Sequence, residues 1–250
     1  MNIVVDNLLT NLEISGKGKL VLLLHGWGDS SSGLAVLNKE LSKKYKVVAL
    51  DLPGFGKSEG PKTAWDLDNY SEFLRLLLKK LELNDLYAVI GHSNGGAVAL
   101  RAISLRKLEP KKLILIAASG IRSGQKLKRL TLTIIAKTGN IATLWMPEKY
   151  RRILRQSLYG VAGSDMLVAP ELVETFKKSV RQDVQKDAAN INIPTLLIYA
   201  KEDKAVPLHI GKQYSQLIKD SKLEKIDNSG HFIHIDQPEI TLKLIEDFLS

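Results

Sequence analysis

Gly91-His92-Ser93-Asn94-Gly95-Gly96 lies between an apolar run, Leu86 to Ile90, and a helix-favouring run that begins Ala97-Val98-Ala99-Leu100. A buried strand that turns sharply into a helix through Gly-x-Ser-x-Gly is a nucleophile elbow. The turn strains the serine backbone and brings strand and helix so close that the positions two before and two after the serine carry little or no side chain. Both are glycine here. Three fixed positions of common residue types say little alone, so the context decides: an acid and a histidine must follow later in the chain. Pro194-Thr195-Leu196-Leu197-Ile198-Tyr199-Ala200 reads as another buried strand and empties into Lys201-Glu202-Asp203-Lys204-Ala205-Val206-Pro207, which offers Asp203. After a further strand, Lys222 to Asp227, the loop Asn228-Ser229-Gly230-His231-Phe232 offers His231. Serine, then aspartate, then histidine is one of the chain orders in which this constellation is built.

Upstream of the elbow, Leu20 to Leu24 and Lys46 to Leu50 are apolar runs without polar alternation, as central parallel strands covered on both faces require. Leu34, Leu37 and Leu41 predict a helix over Gly33 to Lys44. Leu67, Tyr70, Leu74, Leu77, Leu78 and Leu81 predict another over Asp66 to Leu81. A helix from Asn94 to Arg106 and a strand from Leu113 to Ala117 follow. Strands alternating with helices of this length make a parallel, doubly wound sheet. The first fifteen residues read as two short antiparallel strands at its edge. From about Ile121 to Asn190 the alternation stops and the chain reads as helices only, with Pro147 and Pro170 where helices can start.

At 250 residues, with 44% apolar and 25% charged side chains, the chain is an ordinary globular protein able to bury a sizeable core. No apolar run approaches the ~18 residues of a membrane span, and the N-terminus lacks the features of a signal peptide. The expectation is therefore a cytoplasmic protein that is not transmembrane. With no cysteine, disulfides and thiolate chemistry are excluded. The net charge of +9 is localised: residues 121–190 hold thirteen basic against six acidic residues.

His25-Gly26-Trp27-Gly28, Asp51-Leu52-Pro53-Gly54-Phe55-Gly56-Lys57-Ser58, the elbow, and the Asp203 and His231 loops together resemble the α/β-hydrolase superfamily over nearly the whole chain. The resemblance implies a mostly parallel eight-stranded sheet with helices on both faces. It also implies a helical cap inserted after the sixth strand, at about 121–190, with 1–120 and 191–250 as the core. It selects Asp203 over the competing acids Glu202 and Asp227, because the family's acid stands three residues before Val206-Pro207. It selects the backbone N–H of Trp27 to join that of Asn94 as donors to an oxyanion. Asn94 departs from the family, which more usually carries a hydrophobic residue there. Serine at the elbow argues against epoxide hydrolases and haloalkane dehalogenases, which use aspartate.

Serine is a poor nucleophile until a base within hydrogen-bond reach takes its proton, and that base needs a partner to fix its tautomer. Ser93, His231 and Asp203 fit those roles. The expected function is thus a serine hydrolase, carboxylesterase-like, acting on a carboxylic ester or related acyl compound. Carbon–carbon bond hydrolases, thioesterases and peptidases keep the same triad and stay open, as does a non-catalytic receptor on the same fold. No cofactor is expected, and no histidine has metal-ligand spacing. His25 reads as holding the oxyanion loop by hydrogen bonds, His92 as packing inside the elbow, and His209 and His234 as lying on or near helices, none of them catalytic; the Asp51 to Ser58 turn reads as structural. A small acyl substrate is the expected ligand. The basic cap suggests an acidic carrier protein, as in the pimeloyl carrier-protein methyl esterases that the chain partly resembles, or an anionic surface. Few aromatics interleave with the basic residues and no recognition motif is present, which argues against nucleic acid.

Overall fold

In the computed structural model, which describes residues 1–122 and 170–250, eight strands form one sheet. They are β1 (Asn2–Val5), β2 (Leu8–Ser15), β3 (Leu20–Leu24), β4 (Lys46–Leu50), β5 (Leu86–His92), β6 (Lys112–Ile116), β7 (Thr195–Ala200) and β8 (Ser221–Ile226). Their order across the sheet is β1-β2-β4-β3-β5-β6-β7-β8. β1 and β2 are antiparallel to each other, and β2 is antiparallel to β4. Every other pairing is parallel, so the carboxyl ends of β3 to β8 share one edge.

The strands expected to be apolar throughout are so because both faces are covered. Successive side chains of a strand point to opposite faces. Leu22, Leu24, Val89, Leu113, Leu115, Leu197 and Tyr199 meet α2 (Leu67–Lys80), α3 (Asn94–Ser104) and α6 (Leu208–Leu217) on one side. Val21, Leu23, Ala88, Ile90, Ile114, Ile116 and Ile198 meet α1 (Ala35–Leu41), α7 (Ile233–Asp236) and α8 (Pro238–Leu249) on the other. α2 starts where the sequence reading puts it, for a local reason. The Asp66 carboxylate accepts the N–H groups of Asp68 and Asn69, and the Asn69 side chain accepts the N–H of Asp66. The first helix is shorter than its periodicity predicts. A 3-10 turn covers Ser31–Leu34, and α1 ends at Leu41. Beyond it the carbonyls of Ser42 and Tyr45 lie against Gly16, where a Cβ would sit 2.3 and 2.1 Å from their oxygens, so the chain turns there instead of continuing as helix.

Of the segment read as a cap, residues 123–169 lie outside the described residues. So do Lys126, Lys128, Arg129, Lys137, Lys149, Arg151, Arg152 and Arg155, which carry most of its basic surplus. Of its described residues, 121–122 and 170–190, the second stretch carries a 3-10 turn at Pro170–Leu172, α4 (Val173–Ser179) and α5 (Gln185–Ala189). It is tied to the core by polar contacts. Trp65 N–H donates to Thr175 Oγ1 (3.0 Å), Leu67 N–H to Gln182 Oε1 (2.6 Å) and Lys178 Nζ to the Ala64 carbonyl (2.9 Å). Arg101 on α3 bridges Asp68 of α2 and Asp187 of α5. Among the described residues no helix is long and apolar enough to cross a membrane.

Candidate active site

Ser93 follows the last residue of β5 with φ 50° and ψ −116°, a conformation that costs an L-residue energy and persists only when its surroundings enforce it. Here they do. Ser93 N–H donates to the Ile116 carbonyl (3.0 Å), and the Ser93 carbonyl accepts from Gly96 N–H (3.0 Å) and Ser119 N–H (3.1 Å). The elbow glycines are required by close approach. A Cβ on Gly91 would lie 2.7 Å from the Gly96 Cα, and one on Gly95 would lie 2.4 Å from the Leu24 carbonyl oxygen at the end of β3. The helix therefore starts hard against two strands, and the serine is pushed up at their carboxyl edge.

Ser93, His231 and Asp203 converge as the sequence reading anticipates. Ser93 Oγ is 2.9 Å from His231 Nε2, and His231 Nδ1 is 2.8 Å from Asp203 Oδ2. The Asp203 side chain is fully buried, and its other oxygen accepts the N–H groups of Ala205 (2.8 Å) and Val206 (2.9 Å). The rival acids go elsewhere: Asp227 pairs with Lys201 on the surface, and Glu202 reaches Ser229 N–H at 3.4 Å.

The turn after β3 lies beside the serine. A Cβ on Gly26 would come 3.2 Å from Ser93 Cβ, and Trp27 is the next residue. Asn94 is the first residue of α3, and the N–H groups of a first helical turn have no intrahelical acceptor. Trp27 and Asn94 thus both flank Ser93, Trp27 through this turn and Asn94 as the next residue. Asn94 is 9% exposed, and among the described residues its Nδ2 has no hydrogen-bond partner.

Three other histidines support this edge without joining the line. Leu52 N–H donates to His25 Nε2 (2.9 Å), so the proton of neutral His25 sits on Nδ1 and donates to the Gly26 carbonyl (2.7 Å), bracing the turn. His92 Nε2–H donates to the backbone carbonyl of His231 (3.0 Å), a contact that sequence reasoning missed because nothing local signals it. His234 Nε2–H donates to the Gly33 carbonyl (3.1 Å). Burial lowers the pKa of all three, most strongly His92, where His234 and His231 add to it. Kept neutral, they do not oppose a positive charge on His231. His209 falls on α6. Among the described residues no group of His, Asp and Glu side chains is placed to hold a metal ion.

Trp27 is also held by its ring. The indole meets Phe55 edge-on at 4.8 Å and Phe176 of α4 at 5.0 Å, while Phe55 in turn meets the His25 ring at 5.7 Å. Phe176 carries no motif and could not have been found from the sequence.

A strained serine at a strand–helix turn, hydrogen-bonded through histidine to a buried aspartate at the carboxyl edge of a sheet with this strand order, defines a class of protein. The chain belongs to the alpha/beta hydrolase fold family, whose model matches residues 19–238. Among its relatives is the 2-hydroxy-6-oxo-2,4-heptadienoate hydrolase of Pseudomonas putida, 26% identical over 96% of this chain and 92% of that one. Two solved structures share the fold. A thermophilic esterase from Thermogutta terrifontis has a TM-score of 0.77 at 22% identity, covering 100% of this chain and 97% of its own. A meta-cleavage product hydrolase from Pseudomonas fluorescens IP01 has a TM-score of 0.75 at 22% identity, covering 99% and 96%. Family and relatives together make this chain a hydrolase.

Proposed function

We propose that the protein is a serine hydrolase that cleaves a carboxylic ester or related acyl compound through an acyl-enzyme on Ser93. Ser93 Oγ attacks the carbonyl carbon while its proton passes to His231 Nε2. The negative oxygen of the tetrahedral intermediate is held by the N–H groups of Trp27 and Asn94. Collapse breaks the bond to the leaving group, which takes the proton from His231. A water molecule then gives its proton to His231 and attacks the acyl carbon, releasing the acid and restoring Ser93. Asp203 holds His231 with Nδ1–H toward itself and stabilises the imidazolium that forms twice in the cycle.

The observation that carries this reading is the unbroken line from Ser93 Oγ to His231 to a buried Asp203. It disfavours a non-catalytic receptor, which would have no use for a strained serine facing a base. A second reading, a carbon–carbon bond hydrolase using the same residues, is supported by the Pseudomonas putida relative. In both readings Ser93 attacks the acyl carbonyl carbon; in the carbon–carbon reading the dienol must first shift to its keto form, so that the departing carbon leaves its electron pair delocalised into the new carbonyl and takes the proton from His231.

A fluorophosphonate probe should label the protein at Ser93, located by mass spectrometry of the modified peptide, and Ser93→Ala should abolish the labelling. Labelling unchanged in that variant would overturn both readings. Fresh, unlabelled enzyme should then be offered esters of graded acyl length, thioesters, peptide amides and a 2-hydroxy-6-oxo-dienoate. Preferential turnover of the last would decide for the carbon–carbon reading.

A further inference from the structure

We infer that Phe176 is a positioning residue for the oxyanion site, holding the Trp27 turn in place from the helix that follows residues 123–169. This rests on the proposed role of the Trp27 N–H. Oxyanion donors work only when they are held at hydrogen-bond distance from where the charge will develop, and displacements of an ångström are costly. The Trp27 turn is short and contains two glycines, Gly26 and Gly28, the second at φ 71°, so its backbone needs outside support. On one side it has that support within the core. His25 holds the Gly26 carbonyl, and Phe55 packs edge-on against both His25 and the indole of Trp27. On the other side the indole meets Phe176 at 5.0 Å with an interplanar angle of 61°.

Phe176 can act as the second jaw because its own helix is fixed. One residue before it, Thr175 accepts the N–H of Trp65, and two residues after it, Lys178 binds the Ala64 carbonyl. Leu172 sits on Gly54, where a Cβ would come within 2.5 Å of its Cδ1, so the preceding turn is seated on the loop that carries Phe55. Both jaws of the clamp are therefore anchored on the chain that follows β4, and the indole is held between them. Phe176 itself is only partly buried, so its removal leaves most of the core packing intact.

The test uses full-length protein with p-nitrophenyl acetate and p-nitrophenyl octanoate as substrates and an octyl trifluoromethyl ketone, which forms a tetrahedral adduct on serine, as inhibitor. Phe176→Ala should lower kcat by about 10- to 100-fold. The factor should be the same for both esters, KM should stay within about twofold, and ketone affinity should fall by a matching factor. Phe176→Tyr, which keeps the ring, should restore both. Phe176→Leu should fall between them and serves if the alanine variant melts early. A loss confined to KM or to the octanoate ester would make Phe176 a wall of the acyl pocket and overturn the inference, as would unchanged kcat and ketone affinity. If the wild-type protein neither turns over ester nor takes the fluorophosphonate at Ser93, the functional reading fails and the inference falls with it. With wild type active and labelled, only the inference is at stake.

Discussion

Two loops of this molecule each place an aspartate after a buried parallel strand, and they use it differently. Asp51 follows β4 and is 2% exposed; Asp203 follows β7 and is 4% exposed. The Asp51 carboxylate spends both oxygens on holding chain together. Oδ1 accepts the N–H and hydroxyl of Ser31 (2.8 and 2.7 Å), and Oδ2 accepts the Asn11 amide (2.8 Å) and Lys57 N–H (2.9 Å). Gly56, at φ 56°, wraps so closely that a Cβ there would sit 2.3 Å from Oδ2. Asp203 uses one oxygen to fold its own loop and keeps the other for an imidazole. Burial and hydrogen bonding alone therefore do not mark a carboxylate that serves chemistry. What sets Asp203 apart, and what the proposed reaction would use, is a partner whose charge can change.

The comparison breaks or holds on paired substitutions. Asp203→Asn should lower kcat by about 10⁴-fold by presenting the wrong tautomer of His231, with little effect on the melting temperature. Asp51→Asn should leave kcat within an order of magnitude if the protein is assayed while folded. An equal loss of rate in both variants would erase the distinction drawn between the loops.

Stability should show the reverse order. Asp51→Ala strands donors from three separate stretches of chain and should cost about 3 kcal/mol in urea denaturation. Acid should reveal the same carboxylate. Burial alone would push its pKa up, but the hydrogen bonds from Lys57, Ser31 and Asn11 outweigh that and hold it below the ordinary range. A carboxyl depressed in the folded state contributes stability that is fully present above its unfolded pKa, about 4, and is lost as pH falls through the lower folded value. Wild type should therefore lose stability more steeply than Asp51→Asn below about pH 4. Parallel acid profiles would refute the assignment.

The smallest effect should come from Asp227, which pairs with Lys201 at the surface beside the Asp203 loop. Asp227→Asn should leave kcat within about twofold and the melting temperature unchanged, since exposed ion pairs contribute little. A large loss of rate would reopen the choice between the two acids.

How much of this was legible in the sequence follows from how local each signal is. The family resemblance selects Asp203 by its place three residues before Val206-Pro207, and the structure gives that spacing a cause, because the N–H groups two and three residues on turn back to its carboxylate. The elbow was legible because strand, glycines and helix start are contiguous. α1 was overextended because the carbonyls that pack on Gly16 lie far from it in sequence.

By itself the sequence determined the strand–helix alternation, the two-faced burial of the central strands, the glycine spacing that brings Ser93 to the sheet edge, and the chain order of serine, acid and histidine. Each is written in adjacent residues through period, propensity and steric room. Only the tertiary structure decided that His92 anchors the carbonyl of His231 and that Trp27 lies between Phe55 and Phe176. Those contacts join residues from separate elements, and a hydrogen-bond donor or an aromatic edge leaves no mark in the chain of the distant partner it will meet.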